Sequence, residues 1–423
     1  SAASDVYKRQ VSMGTSNYST EKNLDVVENE TRRSTKQNIE NILIMQGGGS
    51  LGAFACGVYK GLAKRNILVD IAAGTSIGAV NAAIIAGSRS EYPERDLEDF
   101  WLELAESNPS IIPDTFLLDY DRYTKIFAPK KISSASVNAA AFGLPKMFIP
   151  RWWKWGWGDA YKDKENYFNP KSWTYLYDHS PLAKTLDKYV DYKKLNLAAT
   201  QVELPEVVRL IITAVDVMTA RPLVFDNTKI EIKAKHILAS AGYPIYGFPW
   251  IEVEDGVYAW DGSLLSNTPI REVIYSSPRN DKNILIVESY PQEIDRLPSN
   301  MVEVESRARD ILFCDKDMDD IKMSRLITRQ IRLIERLYNV FEKCEQQSGL
   351  KPHEIAKVKS EYDKLIQKYG AQILSVTRII RSEIESPTIL KNADFSPKTV
   401  KELIKQGEQK AVEKIDKLRF FNS

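Results

Sequence analysis

The 423-residue sequence is poor in cysteine and histidine, with three of each, and its formal net charge is only +1. Cys56, Cys314 and Cys344 stand far apart without metal-ligand spacing, which predicts free thiols in a reducing compartment. The scattered histidines predict no zinc site, so no metal is expected. A chain so close to neutrality has no electrostatic footprint for nucleic acid, although local basic patches stay open.

A long hydrophobic run is also missing. The most apolar stretch, residues 71–87, is interrupted by Thr75, Ser76 and Asn81 and is a poor candidate to span a bilayer. No secretory signal is visible. We therefore predict a cytoplasmic protein, and peripheral contact with a membrane surface remains open.

Composition divides the chain into three segments. Residues 1–40 are polar and predict disorder; the first ten, SAASDVYKRQ, resemble a translated adapter, so Met13 is the predicted native start. Residues 41–290 alternate strand and helix patterns. Residues 291–423 are charge-rich and predict a C-terminal helical region, with helical patterns in residues 302–347, 352–381 and 396–418.

Strand, glycine-rich loop and helix follow one another twice in residues 41–87. NILIMQ leads into GGGSLG and a helix, and residues 67–73 lead into GTSIG and the small-residue helix AVNAAIIAG. Further strand candidates are VVRLIITAV, VYAWDGS and NILIVES. These units predict an α/β sheet with helices on its faces, interrupted by a long irregular insertion over residues 107–172.

One of these loops has the pattern G-x-S-x-G, in Gly74-Thr75-Ser76-Ile77-Gly78. A nucleophilic serine needs a sharp turn that exposes its Oγ, and flanking glycines permit such a turn. The helix that follows would favour a developing alkoxide at its N-terminus. The alternative is a glycine-rich turn whose serine only caps the helix.

The other loop spells G-x-G-x-x-G over residues 47–52. Its amides could hold a dinucleotide pyrophosphate or stabilise an oxyanion. The dinucleotide interpretation requires an acid at the end of the second strand, whereas Asp70 stands at the beginning of that strand. The oxyanion interpretation is therefore favoured.

A carboxylate closes a third predicted strand in Trp260-Asp261-Gly262-Ser263. Such an acid, within reach of a serine, could remove its proton directly. An isolated Asp-Gly pair is usually only a turn. The combination with the two glycine motifs gives Asp261 its weight.

Three blocks together resemble the signatures of the patatin-like phospholipases: IMQGGGSLGAFACGVYKGL, IAAGTSIGAVNAAIIAG and ILASAGYPIYGFPWIEVEDGVYAWDGSLLSNTPI. The resemblance covers about residues 41–286 and implies a three-layer α/β hydrolase sheet without a cofactor. It implies that Ser76 is the nucleophile and Asp261 the general base of a Ser–Asp dyad. It also implies an oxyanion loop built from Gly47, Gly48, Gly49 and Gly52, with the amides of Gly48 and Gly49 forming the hole.

Two positions depart from the family pattern. Ser263 follows Gly262 where the family has Gly or Ala, which could alter the geometry of the acid loop. Leu51 stands where many members have Arg or Lys, so the oxyanion would be stabilised by neutral amides and the helix dipole.

A Ser–His–Asp triad is the competing arrangement of catalytic residues. In α/β-hydrolase order its histidine follows the acid, and only His353 does so, in a charged helical region. His179 is interpreted as a surface or capping residue and His236 as a residue on a helix flank.

Trp152, Trp153, Trp155 and Trp157, with Arg151 and Lys154, form an aromatic and basic segment in the insertion. Such segments occur at membrane interfaces, and equally in a lid packed on the core. We predict a lipid ester hydrolase acting on phospholipids or lysophospholipids. An acyltransferase, a polyester or thioester hydrolase, and a non-catalytic lipid-binding protein are the alternatives.

Overall fold

The fold is built around a mixed eight-stranded sheet. The computed structural model describes residues 39–113, 133–154, 173–197, 207–277, 280–314, 317–344, 349, 351–382 and 390–421. The strands are β1 (Ile39–Met45), β2 (Ile71–Thr75), β3 (Ile149–Pro150), β4 (Tyr177–Asp178), β5 (Arg209–Asp216), β6 (Pro222–Asp226), β7 (Ile251–Glu254), β8 (Val257–Asp261), β9 (Asp281–Glu288) and β10 (Ile373–Ile380). Their order in the sheet is β10-β9-β1-β2-β5-β8-β7, with β6 pairing to β5, while β3 and β4 form a separate ribbon.

Helices connect the strands and cover the sheet. They are α1 (Ala53–Lys64), α2 (Ile77–Gly87), α3 (Pro93–Glu106), α4 (Ser134–Phe142), α5 (Ser180–Tyr189), α6 (Tyr192–Asn196), α7 (Ala234–Ala241), α8 (Ile270–Ser276), α9 (Met301–Phe313), α10 (Asp317–Cys344), α11 (Pro352–Tyr369) and α12 (Pro397–Phe421). None of the helices among the described residues is long and apolar enough to cross a bilayer.

The centre of the sheet is parallel and buried. β1 lies between β2 and β9, and both pairings are parallel. Because side chains alternate across a strand, Leu43 and Met45 enter a large core on one face, whereas Ile42 and Ile44 enter a smaller core on the other. Helices pack against both cores, so the predicted three-layer α/β sheet is confirmed.

The sheet changes direction at β5. That strand is parallel to β2 but antiparallel to β6 and β8. As a result, the end of β8 lies next to β5, one strand away from the end of β2. Asp261 and Ser76, which end and follow those two strands, are thereby brought to one side of the sheet.

The C-terminal residues are mostly helical, with one departure from the prediction. The pattern over residues 352–381 was expected to be helical throughout, but α11 ends at Tyr369 and residues 373–380 form β10. β10 pairs in parallel with β9 at the edge of the sheet. The run ILSVTRII is rich in β-branched residues and follows Gly370, and a short apolar run does not distinguish strand from helix by periodicity alone.

The change of domain near residue 291 remains a prediction. Residues from Ile39 to Ser423 cluster as one unit, and β10 and α12 belong to it. Residues 1–38, for which disorder was predicted, lie outside the described residues.

The insertion also contains more regular structure than its sequence indicates. α4 lies within the stretch predicted to be irregular. The sequence did not predict this helix because its small residues give no amphipathic pattern. Trp152 is exposed (43 %) in a short 3-10 helix, Arg151–Lys154. Trp155 and Trp157 lie outside the described residues, and so does the side chain of Trp153.

Glycines allow α12 to pack closely on α1. A Cβ at Gly57 would lie 1.9 Å from the carbonyl oxygen of Ile404, and one at Gly407 would lie 2.1 Å from that of Phe54. The backbones of the two helices therefore approach at distances that no side chain permits.

We predict that Gly57→Ala destabilises the protein. Alanine favours a helix by about 1 kcal/mol over glycine. The new Cβ would however force the α12 backbone away, and overpacking of this kind costs about 1–3 kcal/mol. Apolar surface exposed as the helices separate would add to that cost. Thermal denaturation measures the difference, with Lys405→Ala on the exposed face of α12 as the control. A variant more stable than the wild type would contradict the packing described.

Candidate functional site

Ser76 occupies a strained turn between β2 and α2. Its φ is 58° and its ψ is −129°, a backbone conformation that residues other than glycine rarely adopt. A Cβ at Gly74 would lie 2.4 Å from the carbonyl of Gly78, and one at Gly78 would lie 2.1 Å from the Met45 oxygen. Both glycines of the motif are thus required by close backbone approach, with Ser76 at the N-terminus of α2.

The glycine loop of residues 47–52 lies against this turn. A Cβ at Gly47 would lie 2.8 Å from the Cβ of Ser76. Gly48 and Gly49 have φ values of 153° and 59°, where a side chain would be strained. Gly52 packs against the side chain of Ile77. Gly47, Gly48 and Gly49 therefore present backbone, without side chains, near the serine.

Asp261 ends β8 and is completely buried. Its Oδ1 accepts hydrogen bonds from the backbone N–H (2.9 Å) and the hydroxyl (2.7 Å) of Ser263. Its Oδ2 is buried without a hydrogen-bond partner among the described residues. Burial raises the pKa of Asp261 to about 6, and the nearby hydroxyl of Ser76 and both groups of Ser263 oppose that rise.

Ser263, which replaces the Gly or Ala expected there, therefore acts on the acid itself. Both of its hydrogen bonds favour the ionised carboxyl group. Gly262 is needed for a different reason, because a Cβ there would lie 2.7 Å from the carbonyl oxygen of Thr213 on β5. The hydroxyl of Thr213 is 2.7 Å from that of Thr75, which links the acid loop to the serine turn.

A cavity of about 210 Å³ brings these groups together. Gly48, Gly49, Ser76, Ile77, Asp261 and Ser263 line it. The other motif residues, Gly47, Gly52, Gly74, Thr75, Gly78 and Gly262, belong to the same loops and turns but do not line it. Its other walls are largely aromatic and are provided by Phe148, Tyr177, Tyr243, Tyr246, Phe248, Tyr290, Phe313 and Phe395.

Two polar side chains that were not predicted from the sequence accept hydrogen bonds from the backbone of the serine turn and the glycine loop. The Ser76 N–H donates to the hydroxyl of Ser240 on α7 (3.1 Å). The Gly47 N–H donates to Asn267 Oδ1 (2.9 Å), and Asn267 Nδ2 donates to the Phe313 carbonyl. Both residues lie in the third sequence block, but nothing in their spacing indicates these bonds.

The C-terminal residues contribute to the site as well. The hydroxyl of Ser50 donates to the carbonyl of Lys391 (3.1 Å), and a Cβ at Gly49 would lie 2.3 Å from the Asn392 carbonyl oxygen. Lys391 is fully buried and its Nζ lies 2.5 Å from Asp310 Oδ1. The segment Lys391–Ala393 thus lies directly on the glycine loop, a contact across more than 300 residues that no local pattern signals.

The histidines do not support a triad. His353 is exposed in the first turn of α11 and does not line the cavity. His236 is buried in α7, where its Nδ1 accepts from the Lys233 N–H (3.0 Å). His179 was expected at the surface or as a cap; it precedes α5 but is buried (2 % exposed) and lines the cavity. His179 does occupy the N-cap position of α5, although its side chain makes no capping hydrogen bond. The expectation of a surface position was wrong, because α7 and Phe248 cover its ring.

The dinucleotide alternative receives no support from Asp70. Its Oδ2 accepts from the Asn41 N–H (2.6 Å) at the start of β2, the end of that strand opposite Ser76. Among the described residues, no group of three or more His, Cys, Asp or Glu side chains is placed to hold a metal ion.

A serine on a strand–helix turn, a glycine loop and a buried acid on an α/β sheet are typical of hydrolases that use a nucleophilic serine. The family model of the patatin-like phospholipases matches residues 43–274, more than half of the chain. The chain therefore belongs to the patatin-like phospholipase family.

Individual proteins match less of the chain or match it weakly. A 52-residue stretch is 48 % identical to the triacylglycerol lipase SDP1L of Arabidopsis thaliana, covering 12 % of this chain and only 6 % of that protein. VipD from Legionella pneumophila is 12 % identical over 89 % of this chain and 67 % of its own, with a TM-score of 0.36. ExoU of Pseudomonas aeruginosa, in complex with SpcU, is 18 % identical over 64 % of this chain and 48 % of its own, with a TM-score of 0.28.

We predict that Asp261→Asn becomes more stable relative to the wild type as pH rises. The folded wild type binds the Asp261 proton more tightly than the unfolded chain does, so the ionised group destabilises the fold above its folded pKa of about 6. The asparagine does not ionise. The free energy of unfolding of Asp261→Asn minus that of the wild type should therefore increase by on the order of 3 kcal/mol between about pH 4 and pH 7. Urea denaturation at several pH values measures it.

The exposed Asp255→Asn variant is measured alongside as the control. A pH-independent difference for Asp261→Asn would mean that the carboxyl group is not buried as described.

Proposed function

We propose that the protein hydrolyses carboxylic esters of lipids, with Ser76 as the nucleophile and Asp261 as the general base. One observation carries the proposal: a fully buried carboxyl group with an open acceptor oxygen stands beside a strained serine in an aromatic cavity. Membership of the patatin-like phospholipase family supports the same chemistry.

In the first half-reaction the Ser76 hydroxyl gives its proton to Asp261 and its oxygen bonds to the ester carbonyl carbon. The amides of Gly48 and Gly49 and the N-terminus of α2 stabilise the resulting oxyanion. The carbon–oxygen bond of the ester then breaks, and Asp261 returns the proton to the departing alcohol. An acyl group remains on Ser76.

In the second half-reaction water takes the place of the alcohol. Asp261 accepts a proton from the water, whose oxygen attacks the acyl carbon, and then returns that proton to Ser76 as the acid leaves. A base works best when its pKa is near the working pH without exceeding it. The pKa of about 6 for Asp261 meets this requirement at neutral pH.

The cavity walls favour an apolar acyl chain. Aromatic rings interlock there: Phe148 and Phe248 are 5.4 Å apart, and Tyr290 stacks on Phe313 at 5.1 Å. Such walls bind hydrocarbon by removing apolar surface from water. Phospholipids and lysophospholipids are the proposed substrates. A cytoplasmic location and peripheral membrane contact through the tryptophan segment remain predictions.

We predict that a fluorophosphonate probe labels Ser76 covalently. Ser76→Ala should give no adduct, and Asp261→Asn should label at least about 100-fold more slowly, because the serine loses its base. Mass spectrometry of the labelled peptide locates the adduct. Ser375→Ala, an exposed serine on β10, is the matched control and should label like the wild type. Folded protein without an adduct would exclude the proposed nucleophile.

We also predict an acid limb in the pH profile of kcat/KM. Activity should fall about tenfold per pH unit below a pKa of about 6, as Asp261 becomes protonated. Ser263→Ala removes one hydrogen bond to the ionised carboxyl group, so the limb should move to higher pH by roughly half a unit to one unit. Steady-state hydrolysis of a soluble ester measures both profiles. An unchanged limb would show that Asp261 is not the titrating base.

A further inference from the structure

Buried polar atoms without partners collect around the cavity. Among the described residues, His179 Nδ1, Tyr246 hydroxyl and Asn392 Oδ1 are all buried, lack a hydrogen-bond partner and belong to residues that line this one space. Native proteins rarely bury such atoms unsatisfied, because each one loses its hydrogen bonds to water. Their concentration in the cavity indicates a ligand that satisfies them.

The hydrogen-bonding role of His179 is fixed by its neighbours. Its Nε2 lies 2.9 Å from the carbonyl oxygen of Leu238, which can only accept, so Nε2 carries the proton. Burial lowers the pKa of His179 and keeps the ring neutral. Nδ1 must therefore be an acceptor, and among the described residues no donor reaches it.

His179 is also connected to the nucleophile. Leu238 lies on α7, two residues before Ser240, whose hydroxyl accepts from the Ser76 N–H. Phe248 packs on the imidazole ring at a centroid distance of 5.3 Å. The ring is thus held in one orientation by the helix that also holds the serine turn.

We propose that His179 Nδ1 accepts a hydrogen bond from a free hydroxyl group on the ester substrate, and that the cavity thereby selects partially deacylated or hydroxylated esters over fully capped ones. The inference rests on the proposed ester hydrolase function. Ester and ether oxygens only accept hydrogen bonds, so a fully esterified lipid leaves Nδ1 unsatisfied. A hydroxyl group supplies the donor that is missing among the described residues.

Two matched substrate pairs test which hydroxyl is recognised. On the alcohol side, 1-acyl-2-hydroxy-glycerophosphocholine is compared with its 2-methoxy analogue. On the acyl side, a 3-hydroxyacyl nitrophenyl ester is compared with the same ester lacking the hydroxyl. We expect the wild type to prefer the hydroxyl form of one pair by about tenfold to a hundredfold in kcat/KM.

Variants of His179 separate recognition from folding. His179→Phe should bring the preference close to one, because the acceptor is gone, whereas His179→Gln, which keeps a donor for Leu238 and an acceptor, should restore part of it. Phe148→Leu, an apolar change in the same wall, should slow both members of each pair alike. Equal loss on both members in His179→Phe would show a structural role and overturn the proposal.

Binding gives a second readout that does not need turnover. The same pairs are titrated against Ser76→Ala, with intrinsic tryptophan fluorescence as the signal. A hydroxyl preference in Kd that His179→Phe abolishes supports the proposal even if no ester is cleaved, in which case only the proposed function fails. Equal Kd values within both pairs overturn the proposal even if the enzyme is active.

Discussion

The site depends on one constraint, the close approach of three backbone segments where β1 and β2 end. The Met45 carbonyl, the Gly74–Gly78 turn and Gly47 meet at distances that leave no room for a Cβ. Only glycine satisfies such contacts, and only then can a loop of bare amides lie against the Ser76 side chain. Ser76 lies at the centre of this crowded turn, and its backbone is strained.

Crowding also determines the electrostatics. With water excluded, the carboxyl group of Asp261 is costly to ionise, and its pKa rises. Ser263 limits that rise through two hydrogen bonds, which keeps the acid ionised near neutral pH. The same exclusion of water makes every unsatisfied acceptor in the cavity expensive. The cavity has apolar aromatic walls and a few polar atoms that need hydrogen-bond partners. It is therefore suited to a ligand that has both an apolar part and a hydrogen-bonding group.

Much of this could be predicted from sequence because the governing contacts are local. The turn around Ser76 and the loop from Gly47 are each encoded within six residues, with a strand before and a helix after. β10 and α4 were missed, since a short β-branched run and a run of small residues carry no distinctive period. His179 was misjudged for a different reason: its burial depends on Phe248, which lies far along the chain and touches it only in the fold.

The contact between the C-terminal segment and the glycine loop shows why the family motifs describe only part of the site. The loop is held on one side by Asn267, inside the matched region, and on the other by Lys391 and Asn392, outside it. The buried ion pair of Lys391 with Asp310 joins that outer segment to α9. Burying two charges is expensive, and removing either partner alone would weaken the compensation of the other. The pair helps to hold the outer segment in place, so the position of Gly48 and Gly49 depends in part on residues that the motif does not contain.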